Sequence, residues 1–283
     1  MVGVSEHQLP LSASTDGVAT GTLTLTQPST RGIGLSKIVG VVPILALLVV
    51  WQAVVMAEVY PSVLLPAPAK VANAFVQWGP TIAANAGASM LRVLIGVSLA
   101  FCVAVPAGLL IGRFPAIDRL TDWSIQFFRA IPPISLIPLA MLFFGIGDTP
   151  AIVLIFLSAL WPLLINTIFG VRGIERTLLK VATAARASEV LILRDIILPA
   201  AMPSILTGLR LAIGGGWLTV VTAEMIAVKS GLGYMILNAQ MTFRTELIFA
   251  GIIVIGAIGL LGDQAVRLLR QRVCRWQDGL VSG

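Results

Sequence analysis

Residues 38–57 read IVGVVPILALLVVWQAVVMA, twenty consecutive positions without a charge. Uncharged runs also cover 93–112, 130–147, 149–171 and 247–262. Runs of this length restrict the backbone severely. A helix needs about 20 apolar residues to cross a bilayer, and in lipid every backbone N–H and C=O must be satisfied inside the segment. Strands of a β-barrel would alternate polar and apolar residues, and these runs do not. The chain is therefore expected to be an all-α integral membrane protein. Its hydrophobic fraction of 57% exceeds the roughly 45–50% of soluble domains.

Six transmembrane helices are predicted, near 37–57, 86–112, 121–146, 149–171, 200–228 and 246–268. Residues 69–79 (AKVANAFVQWG) follow a Pro-rich turn and read as a short amphipathic helix at the membrane surface. Residues 1–35 are rich in Ser, Thr and Gly and lack periodicity, so they read as a disordered tail, and 276–283 as a second, short tail. The first apolar run begins too late, and without a cleavage pattern, for a signal peptide. The single histidine, His7, lies in the tail. Cys102 falls in an apolar run and Cys274 in a basic end, so neither a disulfide nor a metal site is expected.

Six spans put both termini on one side. With the termini in the cytoplasm, inner segments hold thirteen Lys and Arg residues, and outer loops hold only Lys70, Lys229 and Arg244. Such a bias sets orientation. It also accounts for the net charge of +6 without nucleic acid, and the basic end beyond the last span reads as an anchor near anionic lipid.

Ionisable groups within spans cost about 2.5–3.5 kcal/mol on insertion scales, so Arg129, Arg210 and Glu224 require reasons. Arg129 precedes Pro132-Pro133, a pair that removes two backbone donors and should distort the helix. Arg210 and Glu224 lie 14 residues apart, about 21 Å along a helix, too far to pair with each other. These groups either form structural pairs or line a path in which the arginines attract an anion. Arg92 and Asp263, nearer the predicted interfaces, are expected to snorkel or pair. Gly214-Gly215-Gly216 reads as a close-packing surface, Trp51, Trp161 and Trp217 as core, and Trp78 as an interface anchor.

Between spans four and five the cytoplasmic segment 172–199 is too long for a simple turn. Arg176, Lys180, Thr183 and Arg186 recur at three- and four-residue steps and share one helical face. Ser188 can cap a second short helix through EVLILRDII, and Leu198-Pro199 then opens span five. From the residues alone this is either a solvated connection or a pair of helices that a soluble partner grips.

The segment resembles the EAA loop of ABC-importer permeases, Glu-Ala-Ala, three residues, Gly, nine residues, Ile-x-Leu-Pro. Ile196-Ile197-Leu198-Pro199 matches the end. Lys180-Val181-Ala182 stands at the Glu-Ala-Ala positions and Arg186 at the Gly. A left-handed non-Gly residue costs roughly 1 kcal/mol, so Arg186 predicts a more continuous bend. SMLRVLIGVSLAFCVAVPAGLLIGR (89–113), RAIPPISLIPLAMLFFGIG (129–147), LPAAMPSILTGLRLAIGGGWLTVVTAEMIA (198–227), SGLGYMIL (230–237) and FRTELIFAGIIVIGAIGLLGD (243–263) are similar to the branch carrying taurine, alkanesulfonate, nitrate, cyanate or bicarbonate.

The resemblance implies a type I importer permease fold over 36–275, in a bacterial inner membrane. Two copies would form the pathway, with a soluble binding protein outside and a dimer of a separate ATPase, holding ATP and Mg, below. It makes Lys180, Val181, Ala182, Ala185, Arg186, Leu198 and Pro199 the ATPase-coupling residues, with Val181, Ala182 and Ala185 as the surface buried against the partner. Arg129, Pro132, Pro133, Arg210 and Glu224 become the pathway candidates. No G-x-x-x-x-G-K-[ST] phosphate loop occurs in the sequence, so the chain is expected to take its energy from a partner that binds ATP; the permease resemblance itself implies neither a cofactor nor a catalytic residue here. The competing classes are a secondary transporter or channel, which internal inverted repeats would favour, and a membrane enzyme, which would need a nucleophile–base or metal cluster.

Overall fold

A computed structural model describes residues 33–274, and no strand occurs among them. The readings on the two tails, His7 included, lie outside the described residues except for 33–35, which are helical. Contacts divide the chain into Met1–Leu47 and Leu48–Gly283. The first unit contributes only the beginning of α1 (Ile33–Met56), which runs through Pro43 without a break. Everything below concerns the second unit. Its elements are α2 (Pro68–Gln77), α3 (Gly79–Arg113), α4 (Pro115–Arg129), a 3₁₀ turn (Pro133–Leu136), α5 (Ile137–Phe144), α6 (Asp148–Arg172), α7 (Arg176–Ala184), α8 (Glu189–Leu191), a π turn (Ile192–Ile197), α9 (Leu198–Ala227), α10 (Leu232–Met241) and α11 (Thr245–Val273).

The core is the bundle of α3, α6 and α9, and glycine lets these helices approach. A Cβ on Gly96 would lie 2.6 Å from Ile155, one on Gly108 2.6 Å from Thr167, and one on Gly112 2.7 Å from Val171. Each pair is separated by the same 59 positions, so α3 and α6 run parallel. Gly170 faces Ser204, Gly208 faces Asn166 and Gly215 faces Ser158. Here one number rises as the other falls, so α9 is antiparallel to α6. Trp217 against Gly259 and Ile213 against Gly262 make α11 antiparallel to α9. Without a hydrophobic drive between helices in lipid, such small-residue seams carry the packing. Gly215 and Gly216 join this seam as expected, whereas Gly214 faces open space.

Among the described residues four helices are long and apolar enough to span a membrane: α3, α6, the stretch Glu189–Ala227 and α11. A fifth is counted if α4 and the segment Pro133–Phe144 form one span, broken by a 79° bend. The bend sits at Pro132-Pro133, where neither residue has an amide hydrogen to continue the ladder. The chain closes α4 instead with short-range bonds from Ala130 N to Phe127 O and Ile131 N to Phe128 O. The expected sixth span is not reached on this measure, because the described apolar stretch of α1 is only Leu45–Met56.

Local signals place the remaining pieces. α3 starts seven residues before the predicted 86, since Pro80 in its first turn loses no helical hydrogen bond there. α2 forms where the amphipathic pattern put it and buries Val71 and Ala74. Trp78 lies 4.7 Å beneath the Arg244 guanidinium, Trp51 stacks on Phe249 at 5.1 Å, and Trp217 is buried, donating from Nε1 to Ile255 O at 3.0 Å.

Candidate functional site

The segment 172–199 folds as the short helix α7 and the first turns of a longer helix that begins at Glu189, joined by a left-handed turn. Arg186 takes φ of +55°, so the more continuous bend expected from the missing glycine does not occur. Ala187 N bonds to Ala182 O at 3.1 Å and Arg186 N to Thr183 O at 3.0 Å. These two bonds satisfy the terminal carbonyls of α7 in a Schellman motif, and they outweigh the conformational cost at Arg186. Ser188 Oγ accepts from Leu191 N at 3.3 Å, the predicted cap. Arg113, at the end of α3, grips Glu189 with two bonds of 2.9 and 3.1 Å, and Arg172 pairs with Asp118.

Two of the expected coupling features are corrected. Ala182 is buried, packed within this chain among Val105, Val171, Ile192, Ile197, Ala201 and Ile205. It therefore presents no surface to a partner, while Lys180, Val181, Ala185 and Arg186 remain exposed. Leu198-Pro199 does not open a new helix either. The helix is continuous over 39 residues from Glu189 to Ala227, widened to a π turn over Ile192–Ile197. Pro199 has no N–H for a carbonyl four residues back, and a local change of register absorbs that defect without a break.

The intramembrane charges separate into two groups. Arg129 ends α4 beside the Pro132-Pro133 break, is exposed, and has no ion pair or side-chain hydrogen bond among the described residues. Arg210 bonds to Asp263 through Nε and, at 3.1 Å, through Nη2, and Arg267 shares that carboxylate at 2.9 Å. Glu224 is fully buried. It accepts from Arg92 Nη1 at 2.6 Å, Ser89 Oγ at 2.9 Å and Gly233 N at 3.0 Å. Arg129, Arg210 and Glu224 thus share no bond with one another. Glu224 is covered within this chain, and both it and Arg210 are engaged in ion pairs.

Of the two expected fates, Arg92 takes pairing and does not snorkel; only 4% of it is exposed. Besides Glu224 it donates from Nε to Asp148 Oδ1 at 2.9 Å, from Nη1 to Ser230 O at 3.1 Å, and from Nη2 to Ser230 Oγ. Asn85 and Ser89 join it from the same face of α3. Asn85 Oδ1 accepts from Gly231 N at 2.8 Å and Ser89 Oγ from Leu232 N at 2.9 Å. With Gly233 N on Glu224, three successive amides at the start of α10, which would otherwise lack partners, are satisfied by side chains. The spacing 85, 89, 92 on an otherwise apolar helix carried this signal, since it puts three polar groups on one face. Among the described residues no group of three or more His, Cys, Asp or Glu could hold a metal ion.

Residues 104–275 match the family model described as binding-protein-dependent transport system inner membrane component. The taurine transport system permease protein TauC of Escherichia coli (strain K12) is 33% identical over 256 residues, 88% of this chain and 92% of that protein. The putative aliphatic sulfonates transport permease protein SsuC of Bacillus subtilis (strain 168) is 33% identical over 82% and 85% of the two chains. The bicarbonate transport system permease protein CmpB of Synechococcus elongatus is 39% identical over 66% and 68%. Among solved structures, an inward-facing form of the MetNI methionine ABC transporter superposes with a TM-score of 0.56 over 68% of this chain and 97% of that one, at 19% identity. That likeness establishes the fold, and the family match with the near-full-length relatives establishes the rest: the chain belongs to the binding-protein-dependent transport system inner membrane components, the permease subunits of ABC importers.

Proposed function

We propose that two copies of this chain form the inner-membrane pathway through which a small anion is imported, of the sulfonate, nitrate or bicarbonate class. A binding protein delivers the solute from outside, and a cytoplasmic ATPase dimer, which binds ATP and Mg, drives the cycle. The observation that carries the substrate class is 33–39% identity, over 66–88% of this chain, to permeases named for taurine, aliphatic sulfonates and bicarbonate. Each of these solutes presents an acidic oxyanion group. The deciding experiment reconstitutes the chain with its ATPase and binding protein in lipid and measures which solute stimulates ATP hydrolysis. Stimulation by an uncharged solute alone would overturn the anion assignment.

Six crossings with both termini inside remain the topology we favour. In support, α3 and α6 run parallel, so the chain must recross the bilayer between them. The bent pair α4–α5 is the only connection available for that crossing. α9 and α11 run antiparallel, which leaves α10 on the outer side. At 24 residues, α1 is about 36 Å long and long enough to supply the sixth crossing.

The exposed residues Lys180, Val181, Ala185 and Arg186 form the contact with the ATPase, and Leu198-Pro199 joins that contact to the span. Within the pathway, Arg129 with Pro132 and Pro133 supplies a positive potential without tight binding, because an import path must release what it admits. Arg129→Gln should slow anion uptake while the complex still assembles. Arg129→Lys should recover part of the rate, keeping charge but losing the planar fork. Normal uptake in both variants would remove Arg129 from the pathway.

A further inference from the structure

The α3–α6–α9 bundle is interlocked along its length by glycine seams, but its outer corner is not. The connection Val228–Gly231 and the start of α10 are tied back to the bundle by side chains. Arg92 holds Ser230 at both its carbonyl and its hydroxyl. Asn85 and Ser89 hold the amides of Gly231 and Leu232. Glu224 holds the amide of Gly233 and is itself held by Arg92 and Ser89. Gly231 is required at its position, since its φ is +104° and any Cβ there would overlap the Glu224 carboxylate. Asp148 brings the start of α6 into the same junction.

The helix that carries Glu224 is also the helix that begins at the cytoplasmic coupling segment. Glu189, its first residue, is gripped by Arg113 at the inner end of α3. From Glu189 to Ala227 the helix spans 39 residues, about 58 Å at the usual rise. The same two elements, α3 and this helix, are therefore joined by two Arg–Glu pairs, Arg113–Glu189 on the inner side and Arg92–Glu224 on the outer. The outer pair is buried in a low-dielectric setting, where removing one partner leaves a costly unpaired charge, so this end is the firmer of the two.

We propose that Arg92 is a positioning residue for transport. Acting through Glu224, it fastens the outer α9–α10 corner to the rod whose inner end carries the coupling segment, so that corner and coupling segment move as one body. This rests on the ABC-permease reading above. The clamp stays closed throughout the cycle, and it transmits displacement between the two membrane faces. It is not a gate that opens.

The test uses the assembled complex of this chain with its ATPase and binding protein. Arg92→Met combined with Glu224→Gln removes both charges together, so neither is left buried alone, and Ser89 and Gly233 can still donate to the Gln oxygen. The assembled variant should lose stimulation of ATP hydrolysis by loaded binding protein, with the stimulated-to-basal ratio falling by about fivefold or more, the lower edge of coupling between distant sites. Arg92→Lys should recover part of that ratio. Wild-type stimulation in the assembled double variant would overturn the proposal.

Hydrogen exchange on the unmodified complex decides the matter independently, including where the double variant fails to assemble. The peptide covering 228–235 should stay protected in both the nucleotide-free and the ATP-trapped complex. Loss of protection in either state would show a gate and overturn the clamp. If the wild-type complex shows no stimulation by any loaded binding protein, the importer reading itself fails, a result distinct from either outcome for Arg92.

Discussion

At the scale of single residues, the cytoplasmic segment shows local hydrogen bonding overriding backbone preference. Arg186 sits in the left-handed region because two carbonyls of α7 need partners and only that turn supplies them. Arg186→Gly should therefore keep the turn and stabilise it by up to about 1 kcal/mol, read as a higher thermal midpoint of the solubilised chain with ATPase binding retained. Ala182 and its neighbour Val181 separate folding from assembly. Ala182→Asp buries an unpaired carboxylate inside the chain, at a cost of several kcal/mol, and should abolish a monodisperse product on size exclusion. Val181→Asp places the charge on an exposed side chain. It should leave the chain folded and reduce co-purification of the ATPase.

At the scale of elements, the helix seams discriminate between glycines that the sequence does not distinguish. A Cβ on Gly108 would meet Thr167 Cβ at 2.6 Å and a backbone carbonyl at 3.2 Å. Gly108→Ala should cost about 1–3 kcal/mol, the usual penalty for overpacking. Gly214 has nothing within 4 Å, and Gly214→Ala should raise stability by up to about 1 kcal/mol, the helix-propensity difference between the two residues. Thermal unfolding of the two variants in the same detergent checks the contrast, and equal losses would contradict the seam. Glycine-rich composition pointed to close packing in general. Which glycines pack depends on where the neighbouring helix lies.

At the scale of the whole molecule, the parallel run of α3 and α6 bears most on topology, because it forces a recrossing through the bent pair. In a background free of Cys102 and Cys274, Arg119→Cys and Thr177→Cys should react with an impermeant thiol reagent only from the cytoplasmic side. Ile146→Cys and Lys229→Cys should react only from outside. Labelling of Arg119→Cys and Ile146→Cys from the same side would overturn the crossing by α4–α5. The orientation that this labelling tests is the one expected from the Lys and Arg bias, a property of the chain that precedes any folding.

The sequence by itself determined that the chain is helical and membrane-embedded, and that it breaks at Pro132-Pro133. Long uncharged runs, paired prolines and a capping serine act locally, through backbone solvation and missing donors, so they can be read in order along the chain. It also carried the family, through several motifs in succession. Tertiary structure alone decided which faces turn inward and which charges meet. A soluble helix announces its buried face by polarity, but in lipid an apolar residue suits either face, so nothing in the pattern told Gly108 from Gly214. Arg92 and Glu224 lie 132 positions apart. Each looks like an isolated intramembrane charge until the glycine seams bring α3 and α9 close enough for the two to neutralise one another.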